Sequence, residues 1–207
     1  MDVTVIIPAY NEEKRIARVI HAALETPGVV EVIVVDDGSS DHTARVAGHA
    51  GARVIALPTN LGKGGAMRAG AVATASEFIV FLDADLVGLN PGHITSLLEP
   101  VIGGKADMAI GLFGQGRRST DLAQKITPFL TGQRAMRREM FLGIPGIEDT
   151  RFGVEVTLTR HAKEKNLRVQ NVQLPGVTQV MKEEKRGFFK GFQARIRMYW
   201  EVLKSLR

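Results

Sequence analysis

No cysteine occurs anywhere in the 207 residues, so disulfides and thiolate metal sites are excluded, which fits a reducing, cytoplasmic setting. No apolar run approaches the roughly 20 residues needed to cross a bilayer. The chain enters a strand-like run at once, without the basic segment, apolar core and cleavage site of a secretory leader, so no leader is expected. The loop Pro8-Ala9-Tyr10-Asn11-Glu12 that follows has no glycine. The Gly-x-Gly-x-x-Gly turn that lets a pyrophosphate approach the first helix is therefore missing, which argues against a nicotinamide-type dinucleotide enzyme. A later loop, Asn60-Leu61-Gly62-Lys63-Gly64-Gly65, looks like a phosphate cradle but lacks P-loop spacing, which argues against Walker-type ATP binding. The five histidines, His21, His42, His49, His93 and His161, have neither metal-ligand nor nucleophilic spacing and receive no catalytic role. There is no internal repeat and no low-complexity segment.

What is present suits one α/β domain of 1–181 with a short appendage, 182–207: 44% of residues are apolar and mean hydropathy is near zero. Residues 1–181 carry 19 Lys/Arg and 19 Asp/Glu, whereas 182–207 carry 8 and 3, so the whole net charge of +5 lies in the tail. No nucleic-acid partner is expected.

Apolar runs and helical spacing alternate along the body. Strands are expected at Val3-Thr4-Val5-Ile6-Ile7-Pro8, Val32-Ile33-Val34-Val35, Arg53-Val54-Ile55-Ala56-Leu57, from Phe78 into Asp83, and at Asp107-Met108-Ala109-Ile110-Gly111. Helices are expected over residues 12–24, 42–50, 66–75 and 91–101. The alternation predicts a doubly wound, mostly parallel sheet flanked by helices.

Chemistry gathers at the strand ends. Phe78-Ile79-Val80-Phe81-Leu82 is apolar enough for a strand buried on both faces, and it runs straight into Asp83-Ala84-Asp85. In an open α/β sheet such a position faces the ligand crevice. Two close carboxylates repel unless they share a proton or a cation, and Mg2+ or Mn2+ bridging to a diphosphate resolves the conflict. The structural alternative is that one aspartate caps the next turn. Asp36-Asp37 ends a second buried strand, where a carboxylate can accept from base or ribose hydroxyls. Asp41 has an ordinary job as a helix cap.

Past residue 111 the pattern changes. Gly114-Gln115-Gly116-Arg117-Arg118 reads as a polar loop and 121–130 as a helix. Thr131-Gly132-Gln133-Arg134-Ala135-Met136-Arg137-Arg138 places three arginines within five residues, either a solvated face or a fork for phosphate or carboxylate, with Arg134 as the inward candidate. Glu148-Asp149 precedes a helix expected over 151–165, for which Asp149 or Thr150 is the structural N-cap. A late strand is expected over 168–174.

Ile6-Ile7-Pro8-Ala9-Tyr10-Asn11-Glu12, Val35-Asp36-Asp37-Gly38-Ser39, Asn60-Leu61-Gly62-Lys63-Gly64 and Asp83-Ala84-Asp85 together resemble family-2 glycosyltransferases of the GT-A fold, in order and in spacing. Within that family the chain is most similar to polyprenyl-phosphate sugar transferases of the dolichol-phosphate mannose or glucose synthase type, whose acceptor segment Thr131-Gly132-Gln133-Arg134-Ala135 matches. The resemblance spans residues 3–180 and divides them into a nucleotide-sugar half, 1–111, and an acceptor half, 112–181. It implies that Pro8, Tyr10, Glu12, Asp37 and Lys63 contact the nucleoside or its phosphates, beside the Asp36 already read as a nucleoside candidate from its strand end, and that Asp83 and Asp85 hold Mg2+ or Mn2+. A related group, the glucosyl-3-phosphoglycerate synthases, has a histidine metal ligand where this chain offers Gln179, so Gln179 is the candidate third ligand.

The expected reaction is inverting transfer of a hexose from a nucleotide-diphosphate sugar to a phosphorylated lipid or a small acceptor. Asp85 and Arg134 are the expected catalytic groups, with Glu148 or Asp149 as the base if the acceptor is a hydroxyl, since a phosphate needs none at neutral pH. The alternatives are a glucosyl-3-phosphoglycerate synthase-like enzyme, a sugar-phosphate nucleotidyltransferase, whose glycine-rich first loop is missing, and a non-catalytic nucleotide-sugar-binding module. In the tail, Phe188, Phe192, Ile196, Tyr199, Leu203 and Leu206 recur at helical spacing among basic residues. That stripe has two readings. It lies in an anionic membrane interface, placing the protein peripherally at the inner face of the membrane, or it packs on the domain or a second subunit as a homodimer.

Overall fold

The computed structural model describes residues 2–113, 131–150 and 153–179. The 114–118 loop, the 121–130 helix and the basic tail of 182–207 lie outside the described residues.

A seven-stranded sheet forms the centre, in the order β3-β2-β1-β4-β7-β6-β8. Its strands are β1 (Val3–Ala9), β2 (Val29–Asp36), β3 (Arg53–Ala56), β4 (Phe78–Phe81), β6 (Met108–Phe113), β7 (Arg134–Arg137) and β8 (Val169–Leu174). Six strands run one way and β7 alone opposes them, pairing antiparallel with β4 on one side and β6 on the other. A two-stranded ribbon of β5 (Leu86–Val87) and β9 (Thr178–Gln179) sits at the carboxyl end of β4.

Both faces of the sheet are covered, as continuous runs such as Val32-Ile33-Val34-Val35 require. On one face α1 (Ile16–Leu24), α2 (Thr43–His49) and α4 (Pro91–Ile102) pack on Val5, Ile7, Val34 and Val80. On the other, α3 (Lys63–Val72), α5 (Arg138–Leu142) and α6 (Val154–Glu164) pack on Ile6, Ile33, Ile79 and Phe81. Helix α4 starts on a capping box in which the Asn90 side chain accepts from the His93 backbone while the His93 ring accepts from the Asn90 N–H.

Three expectations need correction, each for a tertiary reason. Helix α1 begins at Ile16, not at 12, because the Glu12 and Glu13 amides donate instead to Thr43 Oγ1 and Asp41 Oδ2 across the β2 loop, and Asn11 takes a positive φ of 57°. Helix α3 begins at Lys63, not at 66, so two glycines of poor helix propensity lie in its first turn. Their missing side chains let a short 3-10 turn, Ile147–Asp149, pack against the helix start: a Cβ on Gly64 would sit 2.1 Å from the Ile147 carbonyl oxygen. Helix α6 starts at Val154 after Gly153, so neither Asp149 nor Thr150 is its N-cap.

Candidate active site

Six side chains meet at the carboxyl end of β4. Asp83 and Asp85 are 9% and 7% exposed. The Lys63 ammonium, on the first residue of α3, donates to Asp83 Oδ1 at 2.5 Å and to Glu155 Oε1 on α6 at 2.6 Å. Gln133 Nε2, from the segment leading into β7, donates to Asp83 Oδ2 at 2.7 Å. The Gln179 amide lies between the aspartates, with Nε2 at 3.1 Å from Asp83 Oδ2 and 2.9 Å from Asp85 Oδ1.

Glu155 was not among the sequence candidates. As a charged residue within an expected helix it reads as solvent-facing, and only the packing of α6 brings it to Lys63. The only local signal was its place in the first turn of a helix. Gln133 had the acceptor motif as its signal but no assigned role. Gly132 is shaped by the same meeting, since a Cβ there would stand 2.4 Å from Lys63 Nζ and 2.6 Å from Asp83 Oδ1.

The electrostatics of this cluster favour another positive charge. Among the described residues three carboxylates, Asp83, Asp85 and Glu155, gather about the Lys63 ammonium and the Arg134 guanidinium beneath Glu155. Burial works against the Lys63 charge, but Asp83 and then Glu155 outweigh it and hold the amine above the ordinary lysine range, so it is cationic at neutral pH. The amide N–H2 of Gln179 bridges the two carboxylates where a cation could stand. Turned about its last torsion, the same side chain presents an oxygen there, and the choice between the two orientations follows from the surrounding donors. Asp83, Asp85 and Gln179 thus offer the all-oxygen set that a hard divalent cation takes.

Arg134 points into the core. It is fully buried, and its guanidinium donates to the Glu155 backbone oxygen at 3.1 Å, Thr159 Oγ1 at 2.9 Å and Met108 Sδ at 3.3 Å. Burial pulls it down to about 10, with Glu155 opposing, and it stays charged. In this arrangement it ties β7 to α6 beneath Glu155. Arg137 pairs with Glu77, and Arg138 Nε donates to the Ala71 carbonyl.

Among the nucleoside candidates, Pro8 lies in β1 opposite Val35 and Tyr10 is 43% exposed at the strand end. Glu12 faces Arg15 at 3.8 Å. Asp36 accepts from the Ser39 N–H at 3.0 Å. Asp37 instead reaches the next loop, with Oδ1 accepting from the Leu61 N–H at 2.7 Å and Oδ2 from the Gly62 N–H at 2.9 Å. Asp149 is exposed on the 3-10 turn, where with Glu148 it lines an open groove along α3 beside Leu61, Gly65 and Arg68.

Several known proteins are similar to this chain. The profile described as Glycosyl transferase family 2 matches residues 4–161. The 4,4'-diaponeurosporenoate glycosyltransferase of Staphylococcus aureus, in strains USA300 and NCTC 8325 alike, is 39% identical over 101 residues, 46% of this chain. The alignment covers 27% of that relative, so the chain spans about a quarter of the length of the curated relatives it matches. The glucosyl-3-phosphoglycerate synthase of Mycobacterium tuberculosis, solved with Mn2+, uridine diphosphate and glucosyl-3-phosphoglycerate, superposes with a TM-score of 0.77. It is 26% identical over 99% of this chain and 78% of its own. The same enzyme with Mg2+ and uridine diphosphate gives a TM-score of 0.75 at the same identity and coverage. A GT-A-like sheet, the strand-end aspartates and a profile match over three quarters of the sequence thus converge: the chain belongs to glycosyl transferase family 2.

Proposed function

We propose that this chain transfers a hexose, with inversion, from a nucleotide-diphosphate sugar to a phosphate-bearing acceptor, using Mg2+ or Mn2+. The observation that carries the reading is the pair Asp83 and Asp85, bridged by Gln179 and faced by Lys63 at the carboxyl end of β4. The donor set fits the metal: two buried carboxylates and an amide, with a surplus of negative charge, would hold it. When bound, it neutralises the diphosphate as the nucleotide departs. Lys63 supplies a second positive charge beside it, and Pro8, Tyr10, Glu12 and Asp36 line the base and ribose side. Arg134 orients α6, and with it Glu155, through the core. Asp149 enters only if the acceptor is a hydroxyl, because a phosphate monoester is already nucleophilic at neutral pH.

Two acceptor sources share the phosphate chemistry. The mycobacterial enzyme was solved with phosphoglyceric acid, and the Thr131-Gly132-Gln133-Arg134-Ala135 segment supports a polyprenyl phosphate. Among the described residues no helix is long and apolar enough to cross a membrane. The basic tail supports a peripheral contact with anionic lipid.

The experiment is a donor and acceptor panel. UDP- and GDP-hexoses are offered with phosphoglycerate or with polyprenyl phosphate in anionic vesicles, with and without Mn2+, and the product anomer is read by NMR. Metal-dependent transfer of one donor's hexose with an inverted anomer is expected. Metal-independent donor binding with no turnover on any acceptor would leave a binding module instead.

The amide bridge makes its own prediction. Gln179→Ala is expected to raise the Mn2+ concentration for half-maximal UDP binding by about tenfold, the scale of losing a peripheral partner of a metal site. Calorimetric titration of UDP at stepped Mn2+ measures it, and an unchanged Mn2+ requirement removes Gln179 from the metal's surroundings.

A further inference from the structure

Two side-chain amides close on one oxygen at the carboxyl end of β4. Asp83 Oδ2 accepts from Gln133 Nε2 at 2.7 Å and from Gln179 Nε2 at 3.1 Å, and the Gln179 amide also reaches Asp85 Oδ1 at 2.9 Å. Gln133 is fully buried, and the segment that carries it presses on the cluster, since a Cβ on Gly132 would stand 2.6 Å from Asp83 Oδ1. Behind the Gln133 amide lies the buried Thr131 hydroxyl. Thr131 Oγ1 is 2.7 Å from the Gly111 carbonyl oxygen and 2.5 Å from Gln133 Oε1.

That hydroxyl cannot serve both neighbours. It has one hydrogen to give, while the Gly111 carbonyl and Gln133 Oε1 are both acceptors, so with the amide nitrogen on Asp83 one of the two short contacts at Oγ1 lacks a hydrogen. A half-turn about the last torsion of Gln133 exchanges its oxygen and nitrogen and moves no other group. Nε2 then donates to Thr131 Oγ1, and the hydroxyl gives its hydrogen to Gly111. Every contact behind the amide is matched, and the conflict moves to the front, where Gln133 Oε1 stands against Asp83 Oδ2. Two oxygens so placed in a buried site repel unless a cation stands beside them. With the nitrogen forward Thr131 carries the mismatch; with the oxygen forward Thr131 is matched and the Asp83 side calls for a cation.

We propose that Gln133 is a further ligand of the divalent cation: when the cation binds, the amide turns Oε1 to it and gives its N–H2 to the Thr131 hydroxyl. This rests on the metal reading above and extends the oxygen set of Asp83, Asp85 and Gln179 by a group from the segment leading into β7. A neutral amide oxygen suits a hard cation. Removing the amide has opposite consequences in its two roles. As a fixed donor, the Gln133 N–H2 competes with the cation for Asp83 Oδ2, so its loss leaves Mn2+ binding unchanged or tighter. As a ligand, its loss weakens Mn2+ binding.

Gln133→Met keeps the length of the side chain and removes the amide. In the full chain at saturating UDP it is expected to raise the Mn2+ dissociation constant about tenfold, read from the EPR signal of free Mn2+ against a protein-free UDP blank. A constant equal to or below that of the wild type overturns the inference while the metal reading stands. If the wild type binds no Mn2+ above the blank, both fall together. The turn of the amide has its own readout, which needs no variant of the site to fold. Diamagnetic Mg2+ is added to 15N-labelled wild-type protein with UDP, and NOEs are recorded from the Gln133 side-chain N–H2. Its contacts to the Thr131 side chain should strengthen on Mg2+ addition, as the N–H2 passes from Asp83 to the hydroxyl. Contacts to Thr131 that are the same with and without Mg2+ overturn the inference, and this measurement decides it should Gln133→Met fail to fold.

Discussion

Asp85→Asn is expected to lower metal-dependent transfer about a thousandfold, the scale seen when a group aimed at developing charge is removed, and to leave the fold intact or make it more stable. The two effects have one origin. Among the described residues Asp85 adds a third carboxylate beside Asp83 and Glu155, which share the Lys63 ammonium, so neutralising it relieves like-charge repulsion. Asn keeps an oxygen that can accept from Gln179 Nε2, now at 2.9 Å from Asp85 Oδ1, so that hydrogen bond survives the change. Asp83 does not replace it, because its oxygens already accept from Lys63, Gln133 and Gln179. A metal-free thermal melt should therefore give a midpoint equal to or above that of the wild type, while initial rates collapse across a Mn2+ titration. Wild-type rates at saturating Mn2+ would remove Asp85 from the chemistry. Such an exchange of stability for function is the mark of a working site.

Gly64→Ala should destabilise the protein by about 2 kcal/mol and cost most of its activity, whereas an exposed helix interior gains up to about 1 kcal/mol from the same change. The reversal of sign follows from what surrounds the added methyl. It would lie 2.1 Å from the Ile147 carbonyl oxygen, 2.2 Å from Thr150 Oγ1 and 2.8 Å from the Thr150 carbonyl oxygen, and backbone atoms cannot swing aside as a flexible side chain can. Relief requires α3 and the 3-10 turn to part, breaking the bond from the Gly64 N–H to the Thr150 carbonyl and carrying Lys63 away from Asp83 and Glu155. Gly48→Ala is the control. It lies in α2 with Val54 Cγ2 as its nearest neighbour at 3.9 Å, and there alanine should stabilise. Chemical denaturation of both variants measures the pair. Equal stabilisation at the two positions would show that α3 and the 3-10 turn do not pack as closely as described.

The sequence alone determined the alternation of strands and helices as far as β6, and the ends of β2 and β4 as places where aspartates gather. Those features are local. A run such as Phe78-Ile79-Val80-Phe81 announces burial on both faces, and an abrupt Asp83-Ala84-Asp85 announces its end, without reference to any other part of the chain. The family motifs were legible for the same reason, each being a contiguous stretch.

Only the tertiary structure decided what those ends meet. Nothing in Arg134-Ala135-Met136-Arg137 reads as a buried strand, because an arginine on the inner face has no apolar period to declare it. It is a strand because β4 and β6 leave an antiparallel gap and because Glu155, Thr159 and Met108 satisfy the buried guanidinium. Gln179 reaches Asp85 through the β5–β9 ribbon, and Glu155 reaches Lys63 from a helix 92 residues later in the chain. Asp36 and Asp37 are indistinguishable as letters, and which of them accepts from the Leu61 and Gly62 amides is set by how the turn after β3 approaches. Hydrophobic period reports which face of an element is buried; it carries no information on which distant element covers that face, and the polar contacts that build this site all lie across such junctions.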